Sequence, residues 1–270
     1  MNIKNKSLDF LIEKFQRDGF CYLKMFDNKE TDKLSYIIDK EYKIARNNKK
    51  NILTGINNYE DLWYLISDER ILNFVKKILG KKIYYLYHSA IMKTTEDEHY
   101  QHHRDNPNRK FGVGPDWNEK EKKFEILRLG IYLDDFEKTN FRLNMIPKSH
   151  KNKFSWREIL RFLHKKLRKI GINDKIINFL PKIYGEEIKT TSGTCIFFDP
   201  RVYHSPSPHK NSRRAIFLAY GCDNFHSKNY VNYFTRERKQ DHIGLDYETI
   251  KSQVRFLDFL KNENLFYSID

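Results

Sequence analysis

Apolar positions recur at helical spacing through much of the first eighty residues. After Ser7, which can cap a helix, Leu8, Leu11, Ile12 and Phe15 follow the i, i+3, i+4, i+7 rule, and Gly19 stops the pattern. Phe20-Cys21-Tyr22-Leu23 then reads as a short strand. Further helical patterns cover 29–46 and 59–79, the second ended by Gly80. From Lys82 the texture changes. The runs 83–87, 90–92, 126–133, 194–198 and 215–220 are rich in aliphatic and aromatic residues and read as strands. Short strands separated by loops, after a helical lead-in, predict an antiparallel barrel or double-sheet jelly roll with helices packed outside.

One helical stretch interrupts the strands. Ser155-Trp156-Arg157-Glu158 is a capping box. Behind it Trp156, Ile159, Leu160, Leu163, Leu167 and Ile170 keep helical spacing as far as Gly171. Arg157, Arg161, Lys165, Lys166, Arg168 and Lys169 occupy the other face. This pattern predicts an apolar stripe docked on the barrel and a basic stripe in solvent. A second short helix starts near Asp174 and ends before Pro181, which gives a helical insertion at about 152–182. Helical patterning returns after Asp241. With no internal repeat and no low-complexity linker, residues 1–270 are expected to form a single domain.

Composition narrows the class. Hydrophobic residues make up 39% of the 270 positions and aromatics 15%, enough for a sizeable core, so wholesale disorder is excluded. No apolar run approaches the roughly 18–20 residues that a membrane span needs. The opening MNIKNKSLDF has no apolar signal-peptide core. Cys21, Cys195 and Cys222 are too few and too scattered for a disulfide scaffold or a Cys-based zinc module, and a reducing cytoplasm is the expected setting. The net charge of +14 fits either a basic surface spread over solvated faces or an anionic partner: nucleic acid, a phosphate-bearing substrate or a membrane surface.

The densest polar cluster is Glu98-His99-Tyr100-Gln101-His102-His103-Arg104-Asp105. On an extended strand His103 and Asp105 point to the same face. An imidazole beside a carboxylate is two-thirds of the facial triad that holds Fe(II) with positions left open. His204, just after the apolar run 194–198, supplies a third ligand if distant strands are neighbours. His99 and His103 stand at i, i+4, a zinc-binding spacing on a helix. The glutamate of H-E-x-x-H is absent, and Asn106-Pro107 follows, which argues against that reading. Arg213 and Arg214 open the strand 215–220. A guanidinium projecting into a barrel needs an anion. The far carboxylate of 2-oxoglutarate would provide one through a bidentate contact. Alternation puts Arg213 with Ala215 on one face and Arg214 on the other, unless a bulge reverses them.

These residues stand in a recognisable order. Phe15-Gln16-Arg17-Asp18-Gly19-Phe20, Leu133-Asp134-Asp135, Arg142-Leu143-Asn144-Met145-Ile146-Pro147-Lys148-Ser149-His150-Lys151, Ser192-Gly193-Thr194 with Phe198, Asp199 and His204, and Arg213-Arg214-Ala215-Ile216 together resemble the phytanoyl-CoA dioxygenase family of Fe(II)/2-oxoglutarate-dependent oxygenases. The resemblance runs from about Leu8 to Tyr220. It implies a double-stranded β-helix (a cupin-like jelly roll), with Fe(II) on His103, Asp105 and His204 and with 2-oxoglutarate and O2 as cosubstrates. The family's R-x-A pattern selects Arg213 as the cosubstrate anchor. Lys93 stands where the family often has a lysine, and either reaches the 2-oxoglutarate carboxylate or snorkels. Thr194 replaces the usual Asp after Gly193, and Lys148 replaces the usual Gly after Pro147.

The expected reaction is hydroxylation of a small-molecule, possibly anionic, substrate with release of succinate and CO2. Asp105 argues against halogenation, which in related enzymes uses a small residue at that position. His102, Arg142, Arg201 and Tyr203 flank the expected site and are candidate substrate contacts, whereas Arg104 alternates away from it. The alternative of another class is a basic nucleic-acid-binding protein on a jelly-roll scaffold without catalysis, acting through 157–169.

Overall fold

The computed structural model describes residues 8–46, 52–53, 55–80, 82–94, 100–120, 123–209, 211–238 and 245–269. Its strands are β1 (Phe20–Lys24), β2 (Ile52–Leu53), β3 (Tyr84–Tyr85), β4 (Ala90–Thr94), β5 (Ile126–Tyr132), β6 (Arg142–Met145), β7 (Glu186–Lys189), β8 (Thr194–Phe198), β9 (His204–Pro206) and β10 (Arg213–Gly221). The helices are α1 (Leu8–Asp18), α2 (Asn28–Arg46), α3 (Tyr64–Ser67), α4 (Glu69–Leu79), α5 (Phe136–Thr139), α6 (Trp156–Lys169), α7 (Asp174–Ile177), α8 (Leu180–Tyr184), α9 (Phe225–Asn232), α10 (Tyr247–Ser252) and α11 (Val254–Asn262).

Two antiparallel sheets face each other in the jelly-roll manner. The large one has the order β1-β8-β5-β10-β4-β2, with β3 added to β10, and the small one the order β7-β6-β9. Alternation sorts the residues of the large sheet. Leu129 and Ile131 of β5, Cys195 and Phe197 of β8, and Ile216 and Leu218 of β10 face the outer helices. Tyr132, Ile196, Phe198 and Ala215 point the other way and meet Leu143, Met145 and Ile188 of the small sheet. The buried Arg128 and Arg213 share parity with this inner set.

The outer face is closed by α1, α2 and α4, and by α9 to α11, which contribute Tyr230, Phe256 and Leu260. α4 buries Ile71, Leu72, Phe74 and Val75, with the Phe74 ring 4.4 Å from Phe197. The helix expected over 59–79 is broken. Asp68 is extended and its side chain accepts a hydrogen bond from Arg70 N, so it caps α4 and separates it from α3. Gly19 turns α1 into β1 with φ +85°, and a Cβ there would collide with the His150 ring and Val202. The three cysteines are free.

The insertion between β6 and β7 consists of α6, α7 and α8, and its docking departs from the expected sense. Leu160 and Leu167 do pack against Ile146, Ile177, Leu180 and Tyr184. Trp156, Ile159, Leu163 and Ile170 are exposed, while Glu158 and His164 are buried. Polar anchors set this rotation. Glu158 pairs with buried Arg104 at 3.2 Å, Arg157 Nη1 donates to Tyr184 O at 2.7 Å, and Arg168 Nη1 donates to Tyr100 O at 3.0 Å. No helix among the described residues is long and apolar enough to cross a membrane.

Candidate active site

The segment carrying His103 and Asp105 runs beside β9. His103 N donates to His204 O at 3.0 Å, and His204 N returns a bond to His103 O at 3.1 Å. Asp105 N donates to Pro200 O at 2.7 Å, which fixes the next two residues on the same edge. His103, Asp105 and His204 thereby converge, each offering one ligand atom, all within 4.8 Å of one another. His103 Nε2 lies 3.6 Å from Asp105 Oδ1 and His204 Nε2 lies 3.7 Å from Asp105 Oδ2.

Both imidazoles are oriented from behind. His103 Nδ1 lies 2.9 Å from Gln101 O and His204 Nδ1 lies 3.1 Å from Val202 O, so each Nδ1 carries the proton and each Nε2 presents a lone pair to the shared centre. Burial, then the neighbouring His103, pushes His204 down to about 4, so it is neutral at physiological pH. Burial opposes ionisation of Asp105, but His204, Arg128 and His103 outweigh it and hold the carboxyl well below the usual carboxylate range. Two imidazoles that each present Nε2 and an ionised carboxylate between them form a donor set that fits a divalent transition metal such as Fe(II). The His103 side chain is 48% exposed and that of His204 only 9%, so the centre opens on the His103 side.

Arg128 is a site residue that the sequence reading missed. It is buried on the inner face of β5, with Nε 3.5 Å from Asp105 Oδ2 and Nη1 donating to His88 O at 2.6 Å. The signal was a lone arginine inside the apolar run Ile126-Leu127-Arg128-Leu129.

β10 separates the two adjacent arginines. Arg213 points inward, its guanidinium 4.1 Å from the Phe141 ring centroid. Tyr132 lies on the same inner face, close enough to Arg213 and Asp105 for both charges to act on its phenol, which burial raises to about 12. Arg214 points outward. Its N donates to Asp134 Oδ2 at 2.6 Å and its Nη1 to Asp39 Oδ2 at 3.0 Å. Lys93 is opposite Arg214 in the β4–β10 register, so it shares the outward face, and its Nζ binds Asp39 Oδ1 at 2.6 Å. It does not reach the interior, which corrects the expectation of a cosubstrate contact.

The four candidate substrate residues separate in the structure. His102 Nε2 lies 2.8 Å from Asn144 Oδ1, its ring stacks on Tyr100, and burial pushes it down to about 3. It lines a cavity of about 450 Å³ together with Tyr100, Gln101, His103, Arg161, His164, Lys165 and Arg168. Tyr203 does not line it; the Arg104 guanidinium lies 3.7 Å and the Arg161 guanidinium 3.9 Å from its ring centroid. Arg142 is elsewhere, over the Phe136 ring and 3.7 Å from Glu187 Oε2. Arg201 is buried against Asp199 at 2.7 Å, Glu119 at 2.6 Å and the Asp116 carbonyl at 2.9 Å. Neither lines the cavity. Arg201 is a local structural clamp because Asp199, two residues back, neutralises it first. The basic face of α6, expected in solvent, supplies three of the cavity's wall residues instead. His99 lies outside the described residues.

A family model for phytanoyl-CoA dioxygenase matches residues 15–216. The chain belongs to the phytanoyl-CoA dioxygenase family. The span matched contains the converging triad, Arg128 and Arg213, and leaves α9 to α11 outside it. Solved structures support the fold of this family member. HygX from Streptomyces hygroscopicus, solved with nickel and 2-oxoglutarate, is similar at TM-score 0.57 and 14% identity, covering 80% of this chain and 88% of its own. The epimerase SnoN, in complex with Fe3+, alpha ketoglutarate and nogalamycin RO, is similar at TM-score 0.52 and 13% identity, covering 80% and 83%. The carbocyclase SnoK from nogalamycin biosynthesis is similar at TM-score 0.54 and 13% identity, covering 82% and 86%. No curated protein sequence matches this phytanoyl-CoA dioxygenase family member at a significant level.

Proposed function

We propose that the protein is an Fe(II)- and 2-oxoglutarate-dependent dioxygenase that hydroxylates a small-molecule substrate, releasing succinate and CO2. One observation carries this reading: His103, Asp105 and His204 converge with correctly oriented donor atoms on the interior side that also holds Arg213. When bound, iron and 2-oxoglutarate supply the oxidising chemistry, and the protein supplies binding and orientation. His103 and His204 offer Nε2 because Gln101 O and Val202 O hold their Nδ1 protons. Arg128 keeps Asp105 ionised and aimed. Arg213 is the anchor for the distal carboxylate of the cosubstrate, on a guanidinium fixed over Phe141. Tyr132, Phe141 and Phe198 exclude water from that inner space.

Asp105 favours hydroxylation over halogenation, because the carboxylate occupies the position that a halide would need. SnoN and SnoK, named as an epimerase and a carbocyclase, mark hydroxylation as the part of this reading most in need of a product assay. The nucleic-acid alternative loses its main support, since Arg161, Lys165 and Arg168 wall a cavity beside His103.

Anaerobic addition of Fe(II) and 2-oxoglutarate should give the weak visible absorption of a chelated keto acid, and His204→Ala should abolish it. Arg213→Ala should weaken 2-oxoglutarate binding by roughly 1.5–3 kcal/mol, the scale of a charge-assisted contact. Arg214→Ala, on the outer face, should have much the smaller effect on that affinity. A wild-type protein that binds neither ligand overturns the oxygenase reading.

A further inference from the structure

We propose that the helical insertion docks the protein on an anionic lipid bilayer, with the exposed apolar row of α6 in the interface and the neighbouring lysines on the headgroup phosphates. The inference goes beyond the oxygenase reading and does not depend on it.

Exposed apolar surface is concentrated on the insertion. Ten of the seventeen large apolar side chains exposed among the described residues fall between Phe154 and Ile183, thirty positions of the 270. Single scattered exposures need no explanation, but a concentration of this kind marks a surface that meets something. On α6 the exposed row is Trp156, Ile159, Leu163 and Ile170, one side of the helix from end to end. The second arm of the insertion adds Ile176, Phe179 and Ile183. The arms pack on each other through Leu160, Leu167, Ile177, Leu180 and Tyr184, so these rows are what remains once that seam is filled. Buried polar contacts hold α6 this way round: Arg104–Glu158 at 3.2 Å and Arg157 Nη1 on Tyr184 O at 2.7 Å. The exposure is therefore built into the fold.

Charge selects the partner. Residues 151–184 contain ten lysines and arginines against two acids, Glu158 and Asp174, and Glu158 is taken by Arg104. Lys166, Lys169 and Lys182 are exposed and line no part of the cavity beside His103. A second copy of the chain on this face would set two basic segments against each other, like charge on like. An anionic surface attracts both.

The position of Lys166 separates a bilayer from an acidic protein. It lies within the apolar row, four residues after Phe162 and four before Ile170, with its Nζ 4.7 Å from the Phe162 ring centroid. The core of a protein interface is depleted of lysine, because the ammonium must be desolvated there. At a lipid interface the stem lies along the acyl boundary while the ammonium reaches a phosphate. At 14 residues α6 is too short to span a bilayer and suited to lying in its plane.

The test is cosedimentation of the metal-free, full-length protein with phosphatidylcholine vesicles, either neutral or containing about 30% phosphatidylglycerol. Binding to the anionic vesicles should be at least about tenfold tighter, and added salt should weaken it. The triple variant Ile159→Gln/Ile170→Gln/Ile183→Gln, shown to be folded by an unchanged circular dichroism spectrum and a cooperative melt, should lose roughly tenfold or more. Lys166→Gln/Lys169→Gln should lose about tenfold on the anionic vesicles. Leu8→Gln/Val254→Gln removes two exposed apolar side chains elsewhere and should retain wild-type binding. Bromine-labelled acyl chains should quench the wild-type tryptophan fluorescence. Trp156→Phe should remove most of that quenching while still pelleting with the vesicles, because Trp117 is buried and Trp63 half-buried. If the triple variant fails to fold, Ile170→Gln alone, at a position 72% exposed, should still weaken binding several-fold. No pelleting with anionic vesicles, full binding by the folded triple variant, or undiminished quenching in Trp156→Phe each overturn the proposal. A dimer seen in light scattering and abolished by the triple variant, with no vesicle binding by wild type, overturns it in favour of a second copy.

Discussion

α4 and α6 both carry an apolar stripe at helical spacing and a run of lysines and arginines. α4 lies on the outer face of the large sheet, buries Ile71, Leu72, Phe74 and Val75, and leaves Lys76 and Lys77 in solvent. α6 exposes Trp156, Ile159, Leu163 and Ile170, buries Glu158 and His164, and turns Arg161 and Arg168 towards the cavity beside His103. Beneath α4 there is a continuous apolar surface from β5 and β8. Beneath α6 lies the polar segment 100–105, with Arg104 between the two metal-ligand positions. A helix docks by its apolar stripe when the surface it meets is apolar. When that surface offers buried charges, the partners of those charges set the rotation. The buried pair does not by itself recommend this arrangement for stability, because desolvation offsets much of its attraction. The geometry that results is useful to the site: the residue separating His103 from Asp105 is also the residue that holds α6 in place.

The sharpest break of this comparison is Arg104→Ala. It leaves Glu158 buried and uncompensated and removes the guanidinium from Tyr203, so it should cost about 3–5 kcal/mol in urea unfolding. Glu158→Gln keeps a hydrogen-bond acceptor and should cost less, about 1–3 kcal/mol. A cost below roughly 1 kcal/mol for Arg104→Ala would mean that α6 is positioned by its half-buried Leu160 and Leu167 after all. The next test sets the two apolar stripes side by side. Phe74→Ala, in contact with Phe197, should cost about 3–5 kcal/mol. Ile159→Ala, on the exposed side of α6, should fall within about 0.5 kcal/mol of wild type. Equal costs would show that the exposed side of α6 is covered in solution.

These two regions also divide what the sequence made legible. The large sheet announces itself because β5, β8 and β10 are long enough to show apolar runs, and alternation along β10 put Arg213 and Arg214 on opposite faces, while the family's R-x-A pattern chose Arg213 as the inward one. His103, Asp105 and His204 were legible as a set because chemistry needs those residue types. The strand that carries His204 was not, since β9 has only three residues, His-Ser-Pro, with no periodicity to read. Lys93 stayed open between two readings because a motif position carries no register, and it is the register that places it opposite Arg214 on the outer face. Arg201 was misread although Asp199, its partner, lies two residues before it in the sequence. The rotation of α6 could not be read at all, because it depends on Arg104 meeting Glu158 across 54 residues of chain.

The last contrast is in the backbone that frames the two helices. α4 ends at Gly80, where φ is +114° and no Cβ is present to object. The segment leading into α6 turns at Lys148, where φ is +66°, at the place where the family usually has glycine. Left-handed backbone costs a residue with a Cβ roughly 1–2 kcal/mol. Glycine removes that strain but gives the unfolded chain more freedom, which returns about 0.5–1 kcal/mol. The Lys148 side chain is exposed, and its backbone N already donates to Asp18 O at 2.9 Å, a bond that glycine keeps. Lys148→Gly should therefore raise stability by about 0.5–1 kcal/mol, read as a higher urea midpoint at unchanged slope. Gly80→Ala, at a position of equally left-handed sign, should move the midpoint the other way. A lower midpoint for Lys148→Gly would mean that the lysine side chain holds the approach to α6 by a contact worth more than the strain it imposes.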